Sequence, residues 1–151
     1  MAGGFTLKEK NISIFRDFLI KNFEKSNVNL SKSINLYLDS IIAPSALNED
    51  FFNEVNSLAP FGSGNSEPKF VVENIKVISS SIVGDNHLKI IFGGKDGSTF
   101  KGFAWNVINT PIEPFLNMNY KKNMNIAGKL RMNEWRGKKN IEFSIEDISL
   151  N

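Results

Sequence analysis

The chain has 151 residues, of which 41% are hydrophobic and 23% are charged, and its formal net charge is +2. That length and apolar content can bury a core in one domain or in two small ones. Zero cysteines exclude disulfides and thiolate metal sites, and they suit the reducing cytoplasm that we predict as the location. No apolar run approaches the roughly 18 residues of a membrane-spanning helix, so we predict no membrane partner.

The charges are distributed unevenly along the chain. Residues 1–67 hold six Lys or Arg against eight Asp or Glu, whereas residues 68–151 hold twelve against eight. This basic excess in the second part favours a polyanion such as nucleic acid as the partner.

Residues 1–57 predict a helix, a strand and a second helix. Thr6 and Glu9 have the spacing of a capping box, which predicts that the first helix begins at Thr6 and ends near residues 22–26. Apolar and polar residues alternate over residues 34–38, which predicts a strand. Apolar residues at helical spacing mark both helices, and they are Ile12, Phe15, Leu19 and Phe23, then Leu47, Phe51, Val55 and Leu58.

Residues 58–70 predict a rigid connector between two modules. Its prolines fix φ and disfavour helix, its glycines permit positive φ, and its asparagine is a turn former. Leu58, Phe61 and Phe70 are apolar anchors that should dock the connector onto its neighbours, unlike a flexible polar linker. The residues expected to define the connector are Pro60, Phe61, Gly62, Gly64, Asn65 and Pro68.

Five strand-like segments follow in the order of an OB-fold. They lie at residues 71–83, 87–92, 99–105 and 124–133, with the last centred on residues 141–145. Between the third and the fourth, two prolines in residues 111–116 predict a short helix or turn that covers the open end of the barrel. We therefore predict an α+β chain in which a small helix-strand-helix segment (1–57) and the connector (58–70) precede a five-stranded antiparallel OB-fold β-barrel (71–151).

The loop between the last two strands has the chemistry of single-strand binding. It offers an indole, three cations and a glycine, so bases could stack on the ring while the cations neutralise phosphates. The residues predicted to contact DNA are Trp135, Arg136, Lys138 and Lys139 in this loop, with Lys89, Lys101, Lys129 and Arg131 extending the positive track. The alternative is that Trp135 caps the barrel and the lysines solubilise a hairpin turn.

The third strand presents two large aromatic side chains on one face and smaller residues on the other. Phe103 and Trp105 share a face with Lys101, while the opposite face offers only Phe100, Gly102 and Ala104. Because a barrel needs large apolar residues inside, we expect Phe103 and Trp105 to pack in the core.

The ionisable residues show no arrangement typical of catalysis. His87 is the single histidine, and the carboxylates are scattered, so we assign no catalytic residue and no metal ligand. We expect His87 to make local hydrogen bonds at the start of its strand.

Several motifs resemble one family and occur in the same order. The connector reads LAPFGSGNSEPKF, residues 2–9 read AGGFTLKE, residues 87–89 read HLK, and NEWRGKK at 133–139 is followed by DI at 147–148. These motifs resemble those of the RecJ-type single-strand-specific exonucleases, bacterial DNA-repair and recombination enzymes of the DHH phosphoesterase family. Ser66 stands where the family pattern has proline, which makes the connector looser.

The resemblance implies a C-terminal fragment of a larger enzyme, with the end of a DHH-associated domain in residues 1–57 and an OB-fold domain after the connector. The fragment would hold single-stranded DNA while the absent catalytic DHH domain hydrolyses it from the 5′ end with Mn²⁺ or Mg²⁺. The fragment itself would be inactive and hold no cofactor. Gly3 and Gly4 resemble the end of a glycine motif of the DHH-associated domain, which makes them possible phosphate contacts.

The implied partners are single-stranded DNA, the catalytic DHH domain of the same parent chain and a single-strand-binding protein. A different class of function also fits the residues. In that alternative, the region is a non-catalytic interaction module that docks the catalytic domain or a single-strand-binding protein and never grips DNA. An RNA-processing relative is a third possibility, because OB-folds also accept RNA.

Overall fold

The computed structural model of the chain describes residue 4 and residues 6–25, 35–135 and 137–150, without the side chains of Trp135 and Lys138. Two compact units are present, Met1–Leu36 and Tyr37–Asn151. In chain order the elements are α1 (Ile12–Lys25), β1 (Ser40–Ile42), α2 (Glu49–Asn56), β2 (Phe70–Val83), β3 (His87–Gly93), β4 (Thr99–Ala104), β5 (Met124–Trp135) and β6 (Lys138–Leu150). None of the described helices has the length and apolar character that crossing a membrane requires.

The described part of the first unit is dominated by α1. A 3-10 turn over Glu9–Asn11 leads into the helix, and its N-cap Lys8 makes no side-chain capping bond. The predicted capping box of Thr6 and Glu9 is therefore wrong, because the helical turns begin later than Thr6. The predicted helix is present over Ile12–Lys25, the residues following it up to residue 34 lie outside the described part, and none of the helix residues is buried.

The strand predicted over residues 34–38 is wrong in position. Residue 34 lies outside the described residues, residues 35–39 have no regular structure, and the strand is β1. Its parallel pairing with β2 places Ser40 opposite Phe70. Asp39 fixes this register, since its N–H donates to the Lys69 carbonyl and its carboxylate accepts the Lys69 N–H, both at 2.8 Å. A distant partner strand, rather than local alternation, decides where β1 lies.

The second helix packs against the barrel. The Asn48 side chain caps α2 by accepting the Phe51 N–H at 2.9 Å. Phe51 meets Phe70 edge to face with ring centroids 5.5 Å apart, and Leu47 and Val55 also pack against the core. The helical spacing of these apolar residues is thus explained, and α2 lies in the same compact unit as the barrel. The division of the chain at residues 57 and 70 stays a prediction.

The sheet order is β1-β2-β3-β4-β6-β5, and an additional pairing of β2 with β5 closes a five-stranded barrel. The predicted OB-fold is therefore confirmed. One detail differs, because β4 and β6 are parallel while the other barrel pairs are antiparallel. The long connection from β4 to β5 carries the chain across the barrel instead of making a hairpin, which leaves β4 and β6 running in the same direction. Within that connection, a 3-10 turn at Glu113–Phe115 matches the predicted short helical insertion.

Alternating side chains of the strands fill the barrel. The buried residues of β5 and β6 include Met124, Ile126, Gly128, Leu130, Phe143 and Ile145. Position 128 requires glycine because the backbones of β5 and β6 approach closely there, and a Cβ would lie 2.0 Å from the Ser144 carbonyl oxygen. Leu116 and Val107, from the β4–β5 connection, are also buried and complete the core.

The connector is a closed turn. Gly62 and Asn65 exchange backbone hydrogen bonds of 2.9 and 3.2 Å, and the Asn65 side-chain amide donates to the carbonyls of Leu58 and Pro60 at 2.9 and 3.0 Å. Gly64 has φ +87°, a conformation that disfavours other residues. These bonds hold the segment between α2 and β2 in one conformation.

Candidate nucleic-acid interface

Three aromatic rings cluster on the outer face of β3 and β4. Trp105, just after β4, is 61% exposed, and its ring centroid lies 4.5 Å from that of Phe103 and 4.8 Å from that of His87. The prediction that Phe103 and Trp105 pack in the core is therefore wrong. We call these three residues the aromatic cluster.

The smaller residues of β4 face inwards because the interior is already filled. Phe92 and Phe100 stack in the core at 5.3 Å, and Phe143 is fully buried beside them. A Cβ on Gly102 would lie 2.5 Å from a ring carbon of Phe92, so no larger side chain fits there without rearrangement. The interior volume thus selects glycine at position 102, beside the buried Phe100, and leaves Phe103 and Trp105 outside.

His87 has a defined tautomer in this cluster. The N–H of Asn106 donates to its Nδ1 at 2.9 Å, which confirms the expected local hydrogen bond. Because Nδ1 accepts, the proton of the neutral imidazole is assigned to Nε2. His87 therefore offers a donor beside the exposed indole.

A groove of about 320 Å³ lies next to the aromatic cluster. It crosses the outer face from β4 over β6 to β5, since Phe103 is paired with Ser144, and Glu142 is paired with both Lys101 and Arg131. The residues that line it are Phe103, Trp105, Arg131, Met132, Asn133, Glu142 and Ser144. Aromatic rings at one end and the Arg131 guanidinium across the sheet border a space large enough for a nucleobase.

Glu142 is the buried carboxylate of this face, at 7% exposure. Lys89 Nζ lies 3.7 Å from its Oε1, and the Asn133 amide donates to its Oε2 at 3.3 Å. Lys101, its cross-strand neighbour, instead donates from Nζ to Asn140 Oδ1 at 2.6 Å, a neutral partner. Among the contacts that the structure describes, Lys101 therefore has no carboxylate partner for its positive charge.

A second charged cluster joins the connector to β5. Both guanidinium nitrogens of Arg131 bond to Glu67, and the Nη2–Oε2 distance is 2.8 Å. Lys129 Nζ lies 3.1 Å from Glu67 and 3.6 Å from Glu146, which also pairs with Lys69 at 2.7 Å. The hydrogen bond from Arg131, with Lys129 nearby, lowers the pKa of Glu67, and Glu67 in turn raises the pKa of Arg131. We call Glu67, Glu146, Lys69, Lys129 and Arg131 the connector cluster.

The structure brings four of the predicted DNA-binding residues onto one outer face. These are Lys89, Lys101, Lys129 and Arg131, but Lys89 lies near Glu142, and Lys129 and Arg131 pair with Glu67. Lys139 is exposed on β6, opposite Glu134. Arg136 and the side chains of Trp135 and Lys138 lie outside the described residues, as does Gly3, while Gly4 is exposed. Their predicted roles stay predictions.

Sequence reasoning missed the aromatic cluster and the three carboxylates that pair with the cations, Glu67, Glu142 and Glu146. The signal for the aromatic cluster was present in the small residues Gly102 and Ala104, which mark a crowded interior. No spacing rule could pair Glu67 with Arg131, because 64 residues separate them.

A sequence model of the RecJ OB domain matches residues 38–147, which include nearly all of the barrel just described. The chain belongs to the RecJ OB-domain family. The single-stranded-DNA-specific exonucleases RecJ of Haemophilus influenzae and Escherichia coli are each 25% identical to it, over 151 and 154 residues, and cover 98% of the chain. The chain spans 25% of the length of each of these relatives.

Solved structures of a RecJ protein share the fold of this RecJ OB-domain chain. RecJ of Thermus thermophilus in complex with Mn²⁺ matches 98% of the chain with a TM-score of 0.61 at 20% identity, and the match covers 20% of the Thermus chain. The structure of RecJ from the same organism with Mg²⁺ gives a TM-score of 0.59 at 21% identity, over 98% of this chain and 21% of that one. The resemblance recognised in the connector and the other motifs is thereby confirmed at the level of the family and the fold.

The described residues do not fit a divalent metal. Over residues 6–25, 35–135 and 137–150, no group of three or more His, Asp or Glu side chains comes together in a way that could hold one. The carboxylates of the interface are engaged by cations instead, with Glu142 facing Lys89 and Glu67 facing Arg131.

Proposed function

We propose that this chain is the single-stranded-DNA-binding OB region of a single-strand-specific exonuclease. The observation that carries the proposal is the aromatic cluster, an exposed indole with two further rings on the outer face of the second and third barrel strands, next to a groove. In OB-folds this face and the loops next to it bind oligonucleotides.

Stacking is the main interaction that the aromatic cluster offers. Each base stacked on an aromatic side chain contributes roughly 1–3 kcal/mol, and every base has a π-face, so such binding tolerates sequence. Trp105 supplies the largest exposed ring, and the Nε2–H of His87 lies beside it as a donor to a base edge or a phosphate. These groups suit an unpaired strand, because the bases of a duplex are already stacked on one another.

The cations of β3 and β4 supply the electrostatic part of the proposed interaction. Lys89 and Lys101 lie on either side of Phe103 on the same outer face, since Lys89 is paired with Phe103 and Lys101 lies two residues before it. We propose that they contact phosphates of the strand whose bases stack on the rings. The 134–139 hairpin, with Trp135, Arg136, Lys138 and Lys139, is proposed to extend this path.

In a longer protein, we propose that this region holds the strand while a separate DHH domain hydrolyses it from the 5′ end with Mn²⁺ or Mg²⁺. The Haemophilus and Escherichia relatives are exonucleases by name, and the solved Thermus relative contains these metals. We infer that this chain alone does not cut DNA and acts in cytoplasmic DNA repair and recombination.

The test of the proposal compares Trp105→Ala with Tyr37→Ala, both measured by fluorescence anisotropy of a labelled single strand. Tyr37 is 82% exposed and does not line the groove, so it is the matched control for loss of a surface ring. We expect Trp105→Ala to weaken binding at least about fivefold, the lower end of one lost stacking contact, and Tyr37→Ala to leave it unchanged. Equal affinities of the two variants would contradict the aromatic cluster as the binding surface and favour a protein-interaction module.

A further inference from the structure

We propose that Glu67 is an internal anion that occupies a phosphate site of the groove, so that strand binding and docking of the connector compete. The inference rests on the proposed single-strand binding. It concerns the connector cluster, which that function does not by itself explain.

The contact between Glu67 and Arg131 has the form of a bound oxyanion. Both guanidinium nitrogens donate to the two carboxylate oxygens, with Nη2–Oε2 at 2.8 Å. A phosphate binds a guanidinium through the same pair of parallel hydrogen bonds. Arg131 also lines the groove beside the aromatic cluster, and its side chain is 49% exposed. A strand that lies in the groove would therefore reach a cation whose donors are already occupied.

Lys129 is compensated from the same side. It lies two residues before Arg131 on β5 and contacts Glu67 at 3.1 Å and Glu146 at 3.6 Å. If Glu67 alone were displaced, Lys129 would keep its ion pair with Glu146. Arg131 would lose the ion pair that the structure describes for it, since Glu142 is only its cross-strand neighbour. Arg131 is consequently the cation whose availability to phosphate depends most directly on Glu67.

Glu67 belongs to the connector, immediately before Pro68 and two residues after Asn65. The Asn65 amide closes the connector turn, and the Lys69 N–H bonds to Asp39 at 2.8 Å. The ion pairs of Glu67 with β5 therefore join this turn to the binding face. If a phosphate binds Arg131, the connector loses its attachment to β5. Because coupling between two binding equilibria is reciprocal, release of the connector strengthens strand binding by the same factor by which strand binding weakens connector docking.

The first experiment compares Glu67→Gln with Glu73→Gln. Both variants remove one negative charge, but Glu73 is exposed and lies against a different groove, with Asn74 and Lys95. Single-strand affinity is measured by anisotropy over a series of salt concentrations, and the folded state of each variant is checked by urea unfolding. We expect Glu67→Gln to bind the single strand at least about fivefold more tightly than Glu73→Gln does, which is a typical coupling between two sites. One additional phosphate contact should also steepen its logarithmic salt slope by about 0.7.

The second experiment uses the unmodified chain and follows amide hydrogen exchange of the connector. Addition of a single strand should speed exchange of the Gly62, Asn65 and Lys69 amides, because their hydrogen bonds lose the support of the Glu67 pairs. If exchange of these amides is unchanged or slower when the chain is saturated with the strand, the proposed competition between strand and connector is wrong. This result does not depend on any variant.

The outcomes separate this inference from the function on which it rests. If the unmodified chain binds a single strand but Glu67→Gln matches Glu73→Gln in affinity and salt slope, the internal-anion role is wrong and the binding function stands. If none of the three proteins binds at low salt, the function fails and the inference fails with it.

Discussion

Gly102 determines which face of β4 can point into the barrel. The alternation of residues 99–105 correctly predicts two faces, but alternation alone does not say which face is buried. The choice follows from volume, since Phe92 lies where a Cβ on residue 102 would be. The sequence pattern was sufficient on β5, where large apolar residues alternate with charged ones, and insufficient on β4, where both faces carry aromatic rings.

This account predicts that Gly102→Ala destabilises the chain. The added Cβ would lie 2.5 Å from Phe92 Cε2 and 3.3 Å from Ile145 Cδ1, and overpacking of this kind costs about 1–3 kcal/mol. Gly62→Ala is the control, because a Cβ there has no atom within 4 Å and its φ is not positive. The free energies of unfolding in urea should differ by at least about 1 kcal/mol. Equal stabilities would show that the interior has room at β4.

At the level of elements, the sequence predicted the strands that carry regular alternation and missed those set by distant contacts. β2, β3, β5 and β6 lie close to their predicted positions. β1 lies later in the chain than predicted because its register depends on Lys69 and Phe70, about 30 residues away in sequence. Ion pairs between elements share this property, so the attachment of the connector to β5 was not foreseen.

The connector cluster predicts how this attachment depends on pH. Arg131 and Lys129 lower the pKa of Glu67 below the ordinary glutamate value of 4.5. A carboxylate with a depressed folded-state pKa stabilises the fold above its unfolded pKa, and this contribution is lost as pH falls through the folded value. Glu67→Gln should therefore cost about 0.5–1 kcal/mol near neutral pH, since the pair is partly exposed, and this cost should shrink as the pH falls below about 4.5.

Urea unfolding of the unmodified chain and Glu67→Gln at several pH values measures this difference directly. The difference should stay constant from neutral pH down to about 4.5 and shrink below that value. A difference that already disappears between about pH 7 and 5 would mean that the pKa of Glu67 is raised rather than lowered.

For the molecule as a whole, the order of strands and the connector motif were sufficient to predict an OB-fold of the RecJ family. They could not show the pairing of charges across the closed barrel, because closure brings together residues such as Lys101 and Asn140 that are 39 positions apart. The predicted positive track consequently divides into two parts. Lys89, which faces Glu142, and Lys101 lie beside the aromatic cluster, while Lys129 and Arg131 belong to the connector cluster and pair with its carboxylates.

The central claim, that this barrel face binds unpaired nucleic acid, is tested most directly by titrating the unmodified chain into a labelled single strand and into a matched duplex. Fluorescence anisotropy is recorded at low and at moderate salt. We expect preferential binding of the single strand, and we expect salt to weaken it because lysines replace counterions on phosphates. Equal binding of strand and duplex, or no binding at low salt, would contradict it.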